Sequence, residues 1–278
     1  MVVGSWMRPW VVVLGSLGLG AALAGEAQAA CSRPMQVPLA PVGLSVLLPP
    51  QGLPTGVYPE LLRQVGDSEG CVFAMSTVPR ARQELMFEKG MADLLVPASR
   101  TPRRDEFGEF VPLIQSRAMV IALNAERPLP TTLKALVQAT DLRVVLVRGF
   151  DFGDAYQAVV KELTRQGRLR LEADPVSVAR VLDEGGADVT VMAPSILVSA
   201  LHADERVSHL LGRLRLGAVE ELGWNDSGIY LSRSALNEGD RRHLQDALDK
   251  AARSGLVWKL FRQFYPAGTM DGSLRPRY

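Results

Sequence analysis

The stretch GMADLLVPASRTPRRDEF at residues 90–107 decides how the rest of the chain is read. Gly90 ends a helix-like segment, and residues 91–96 then form a short apolar run with one acid, Asp93, at its mouth. Such a run predicts a strand buried on both faces of an α/β sheet, stopped by Pro97. Just beyond it stand Ser99, Thr101 and Arg104. Open α/β sheets bind ligands off the carboxyl ends of their strands, so these two hydroxyls and the guanidinium are candidate ligand-binding groups. Arg104 carries a planar fork of donors matched to a carboxylate. Pro102 suits the first turn of a short helix whose free N–H groups favour anions. The same residues also read as a capped turn carrying a surface arginine.

Outward from that stretch, 278 residues is ample chain for two compact units. The 31 basic and 30 acidic residues nearly cancel and form no long one-sign run. That excludes a nucleic-acid footprint and a polybasic membrane patch. Residues 1–30 are different material: Arg8, an apolar run over residues 10–23, then Ala27-Gln28-Ala29. They read as a secretory signal peptide, which makes the mature protein periplasmic and soluble. Gln28 stands where a lipoprotein signal carries a leucine-like residue, so ordinary cleavage is expected over lipid anchoring of Cys31.

Cys31 and Cys71 are the only cysteines. In an oxidising compartment they are expected to pair as a disulfide, the alternative being two unpaired buried thiols. His202, His209 and His243 lack ligand spacing with either cysteine, so neither a metal nor another cofactor is expected.

In chain order, residues 42–48 read as a first strand, residues 58–65 as a helix and residues 71–78 as a second strand. Residues 80–89 form a further helix ended by Gly90, completing β-α-β-α-β with the opening stretch. Strands at 110–114 and 118–123 lead to a polar, proline-bearing passage at 124–130, read as the exit from the first unit. Thr131 or Thr132 is placed to cap the next helix. A second series follows: strands at 142–147, 169–172 and 187–192, and helices at 152–165, 176–183 and from Pro194 to Leu201. After a polar crossing at 219–225 come a strand at 228–231 and two closing helices, at 237–252 and 257–264. The tail beyond Pro266 has no periodicity and is expected to be loose.

This order of elements resembles the bacterial extracellular solute-binding proteins of family 3, the periplasmic receptors of amino-acid-type ABC transporters. Its carriers are GVYPELL at 56–62, PRAR at 79–82, Gly90-Met91-Ala92-Asp93, Thr101-Pro102-Arg103-Arg104, Phe110-Val111-Pro112, Gly185-Gly186-Ala187-Asp188 and Ser227-Gly228-Ile229-Tyr230-Leu231. The resemblance covers about residues 42–266. It implies an α/β, periplasmic-binding-protein-like fold of type II, with two α/β lobes joined by a two-segment hinge. Residues 31–122 and 223–278 would form lobe one and residues 123–222 lobe two, crossing near Leu123-Asn124 and Leu222-Gly223.

The resemblance implies that Arg104 grips a ligand carboxylate, assisted by Ser99. Lobe two would contribute the turn Gly149-Phe150-Asp151. Where the family usually holds an ammonium with a carboxylate, this chain has Ala193. Asp151 either supplies that carboxylate from another side or caps the helix that follows it. Tyr58, Phe150 and Trp224 are candidates to sandwich an apolar part of the ligand, and Arg80 and Arg82 to add anion affinity. The function expected is capture of a small anionic or zwitterionic, amino-acid-like metabolite by a monomeric, non-enzymatic receptor that passes it to an ABC permease. The alternatives are an enzyme of the cyclohexadienyl dehydratase type, with Glu60 or Asp151 as its acid, and a soluble partner of a signalling receptor.

Overall fold

The computed structural model describes residues 1–4, 31–49, 51–123, 128–266 and 270–278. Most of the expected signal peptide, and Asn124 of the expected first crossing, lie outside the described residues. The first lobe opens with β1 (Met35–Leu39), α1 (Val57–Glu69), β2 (Phe73–Thr77), α2 (Arg80–Glu88), β3 (Leu94–Ser99), α3 (Pro102–Asp105) and β4 (Gly108–Ser116). β1 and β2 pair in parallel, with α1 as their crossover. β3 runs beside β1, where the Asp93 N–H donates to the Gln36 carbonyl at 2.9 Å.

The first and third strands differ most from the sequence reading. Residues 42–48 are a loop with isolated bridges only, and the first strand is MQVPL just before it. Pro38 concealed it, because proline cannot donate to a ladder and argues against a strand. β3 does not stop at Pro97: it passes through a cis Val96–Pro97 bond, and its last residues, Ala98 and Ser99, pair with a returning strand.

The second lobe comprises β5 (Met119–Leu123), α4 (Leu133–Gln138), β6 (Val144–Val147), α5 (Asp154–Arg165), β7 (Leu169–Glu172), α6 (Pro175–Asp183), β8 (Val189–Met192), α7 (Pro194–Ala203) and β9 (Leu214–Ala218). Its sheet runs β7-β6-β8-β5-β9. Continuous apolar strands suit this layer, since alternate side chains face opposite ways and both faces are covered. Val144 and Leu146 pack with Tyr156 and Leu163 of α5, whereas Val145 and Val147 pack with Val178 and Leu182 of α6. Thr132 caps α4 and Asp174 caps α6, each accepting the N–H three residues on, at 3.0 and 2.8 Å.

β5 pairs with β8 and β9, so it belongs to the second sheet. The chain therefore passes between lobes at residues 117–118, earlier than the Leu123-Asn124 crossing read from the sequence. Strand pairing decides this. The return passage lies between β9 and β10 (Asn225–Ser232). β10 inserts between β3 and β4 in the first lobe, with a register shift after Gly228. A Cβ on Gly228 would fall 2.0 Å from the Val111 carbonyl oxygen, so only glycine lets the strands approach there.

Two helices, α8 (Glu238–Arg253, capped by Asn237) and α9 (Leu256–Phe264), pack on α1 over the first-lobe core. Cys31 and Cys71 form a disulfide with Cα atoms 5.1 Å apart, which pins residue 31 beside the end of α1. Both sulfurs are thus committed, although His243 lies near them.

The described part of the tail, residues 270–278, is not loose. Leu274–Pro276 forms β11, antiparallel to β4, and Ser273 is fully buried. Its anchors are tertiary: the Arg117 N–H donates to the Ser273 carbonyl at 3.1 Å, and Arg275 lies over the Trp224 ring at 4.4 Å.

Candidate functional site

Two neighbouring chambers lie between the lobes. The inner one, of about 70 Å³, is walled on the first lobe by Ser45, Tyr58, Arg80, Pro97, Ser99, Arg104, Ser116, Ser227 and Phe261. On the second lobe it is walled by Phe150, Asp151, Phe152, Ala193, Ser195 and Ile196, and the tail contributes Leu274. The outer chamber, of about 280 Å³, shares Arg104, Phe150 and Asp151 with it and adds Ala81, Glu84, Glu88, Arg103, Arg148 and Gly149. An engineered cavity of roughly 150 Å³ admits benzene, so the inner chamber has room for only a few heavy atoms in this arrangement.

The dominant polar feature of the first-lobe wall is a network that the sequence did not disclose. Arg104 Nε and Nη2 donate to the two oxygens of Glu84 at 3.2 and 2.6 Å, and Nη1 donates to the Ser99 carbonyl at 2.9 Å. Arg80 Nη2 reaches the same Glu84 at 2.7 Å, while its Nη1 donates to Gln83 Oε1 and the Pro97 carbonyl, both at 2.9 Å. The two guanidiniums are about 95% buried. Burial pushes Glu84 upward, yet the two flanking arginines outweigh it and hold the carboxyl below its ordinary value. Burial likewise draws Arg80 down, against the pull of Glu84.

The network engages both candidate arginines. Arg104 reaches the cleft, but its fork is filled by a carboxylate of the protein. Arg80 is buried and lines the inner chamber, whereas Arg82 is exposed. Ser99 lines the inner chamber. Thr101 does not: its hydroxyl accepts the Arg104 N–H and caps α3, as the capped-turn reading had it.

Tyr58 lines the inner chamber, fully buried and edge-on to Phe261 at 6.0 Å. Burial raises its pKa. Phe150 also lines it, edge-on to Phe152 at 6.1 Å. Trp224 lines neither chamber; it is flanked by the Arg117 and Arg275 guanidiniums, at 5.1 and 4.4 Å. Gly149 belongs to the outer chamber and, at φ +87°, lies against the backbone of Ala81 across the cleft. Asp151 projects from lobe two and accepts the Gly153 N–H at 2.9 Å, turning the chain into α5. It thereby both shapes the helix start and lines the chamber. Glu60 pairs with Arg63 and Gln64 on α1 and lines neither chamber.

Sequence reasoning missed Glu84, Ser45, Ser195, Ser227 and Leu274. Only Glu84 left a trace, as the i+4 partner of Arg80. Ser195 sits in the first turn of α7, where its N–H donates to the Ser273 hydroxyl at 3.2 Å. Its own hydroxyl is buried and, among the described residues, has no hydrogen-bond partner; Arg80 Nε is in the same position.

Compared by sequence, the chain matches no family model and no curated protein. Compared by structure, it is similar to a histidine kinase sensor domain with similarity to periplasmic binding proteins, with a TM-score of 0.69 at 17% identity over 88% of this chain and 98% of that one. The fold is periplasmic-binding-protein-like. A similar likeness holds to the arginine-, lysine-, histidine-binding protein ArtJ from Geobacillus stearothermophilus: TM-score 0.68, 11% identity, 84% of this chain and 95% of that one. An ancestral amino-acid-binding protein, a precursor of cyclohexadienyl dehydratase, gives a TM-score of 0.65 at 13% identity, again over 84% and 95%. At these identities the likeness concerns the fold.

Proposed function

We propose that the protein is a periplasmic solute-binding receptor of the amino-acid type, related to the family 3 extracellular binding proteins, that captures a small polar molecule between its lobes and delivers it to an ABC permease. The observation that carries this is a pair of buried, unpartnered donors on residues that line the inner chamber from its two sides: Ser195 Oγ from lobe two and Arg80 Nε from lobe one. Buried polar groups are normally paired, so capacity left open on both walls of a cavity is capacity for a ligand that bridges them. A bridging ligand favours the closed arrangement through contacts that an open one lacks. The serine hydroxyls suit hydrogen-bonding groups of the solute, and Phe150, Phe152, Ile196 and Leu274 suit its apolar part.

One observation favours a second reading, a dehydratase-type enzyme: Asp151 is the one carboxylate among the described residues that line the inner chamber. It would serve there as a general acid or base. A thermal-shift screen of the protein against amino acids, opines, polyamines, polyols and small organic acids tests both. Saturable stabilisation by one compound class, with the compound recovered unchanged, supports the receptor. Conversion of the compound, abolished in Asp151→Asn, replaces it with the enzyme.

A further inference from the structure

We propose that Glu84 is a built-in carboxylate ligand of the Arg104 fork, and that it restricts the cleft to solutes that place no carboxylate there. The inference rests on the receptor reading of the cleft and names the chemical class of its solute. Arg104 sits just past β3, whose last residue is Ser99, as an arginine meant for a ligand carboxylate would. Its Nε and Nη2 nevertheless form a two-pronged pair with Glu84, at 3.2 and 2.6 Å. That is the geometry by which a guanidinium recognises a carboxylate. Glu84 is held in place from its other side by Arg80 Nη2 at 2.7 Å.

Charge balance points the same way. The two guanidiniums that line the inner chamber both pair with Glu84, which lies in the wall of the outer chamber, and Asp151 adds a second carboxylate. A solute adding an anion would leave a buried negative charge without a partner, whereas a neutral or internally balanced solute leaves none. Occupancy agrees as well. With Nε and Nη2 of Arg104 both on Glu84, a solute carboxylate can take the fork only if Glu84 vacates it.

Replacing Glu84 by alanine removes a group the size and charge of acetate, so acetate itself is the probe. Glu84→Ala is expected to lose thermal stability and to regain it saturably in acetate but not in chloride of equal ionic strength. The rise is about 5–10 °C at a hundredfold excess over the dissociation constant. Glu84→Gln, which fills the space without the charge, is expected to show no acetate response. Wild type is expected to show none with acetate or glycine.

A saturable wild-type shift with either compound, lost in Arg104→Lys, overturns the proposal. So does a folded Glu84→Ala that ignores acetate. Should Glu84→Ala not fold, Glu84→Ser, which keeps a hydroxyl for the arginines, carries the same readout. The two readings fail separately. If acetate rescues the variant while wild type takes no solute in the screen, the receptor reading falls and the Glu84 assignment stands. If wild type binds carboxylates through Arg104, the reverse holds.

Discussion

Closure of the lobes can be tested at Gly149, where the backbone of lobe two lies against the backbone of lobe one. A Cβ at this position would stand 3.0 Å from the Ala81 nitrogen and 3.1 Å from its Cα. Both are backbone atoms of α2, which cannot rotate away. Gly149→Ala therefore carries two costs. The left-handed backbone, at φ +87°, penalises any side chain by roughly 1–2 kcal/mol whether the lobes are open or closed. The contact with Ala81 exists only when they are closed, and overpacking of this kind costs about 1–3 kcal/mol. The second cost alone shifts the closure equilibrium, by about 5- to 150-fold toward the open form. Gly167→Ala is the control, because Gly167 has φ +68° with open space around it and pays the backbone cost alone. Small-angle X-ray scattering and thermal melts separate the two. Gly149→Ala is expected to have a larger radius of gyration than wild type and weaker stabilisation by any solute found in the screen, while Gly167→Ala keeps the wild-type shape and response. Equal scattering and equal solute response in both variants would refute the reasoning.

Two further outcomes are expected. The Glu84 carboxyl is held below its ordinary value of 4.5, so the stability it contributes is complete above that pH and is lost as pH falls through the lower folded value. Urea unfolding from about pH 7 down to about pH 3 should therefore show wild type exceeding Glu84→Gln at the upper end and converging on it at the lower; a gap that stays constant with pH would contradict the pairing. The Cys31–Cys71 bridge closes a span of 40 residues, and the chain-entropy relation gives it about 4 kcal/mol. Reduction, or the double serine variant, should lower the unfolding midpoint accordingly, and an unchanged midpoint would remove the bridge from the stability of the first lobe.

Much of the scaffold is legible in local patterns because local physics makes it. The apolar strands β6 and β8, the caps at Thr132 and Asn237 and the proline opening α7 all follow from neighbours within a few residues. Elements that exist only through distant partners escaped. β11 is three residues long and is a strand only because β4 lies alongside. The first crossing could not be placed because two adjacent apolar strands, β4 and β5, look alike in sequence and differ only in the sheet that receives them.

The site divides along the same line. The sequence by itself determined that Ser99 and Arg104 stand at the C-terminal end of a buried strand, that Phe150 and Asp151 occupy a strand-to-helix turn, and that two cysteines were available to pair. Only the tertiary structure decided what those groups do. It brought Glu84 across from α2 to fill the Arg104 fork, spent the Thr101 hydroxyl on a cap, moved Trp224 out of the cleft, and set Ser195 and the tail into it. The physical reason is that a side chain's chemistry is local, whereas its occupancy depends on which partner arrives. Here the partners come from α2, α7 and the C-terminal strand, whose meeting in one cleft depends on how the two lobes fold and close.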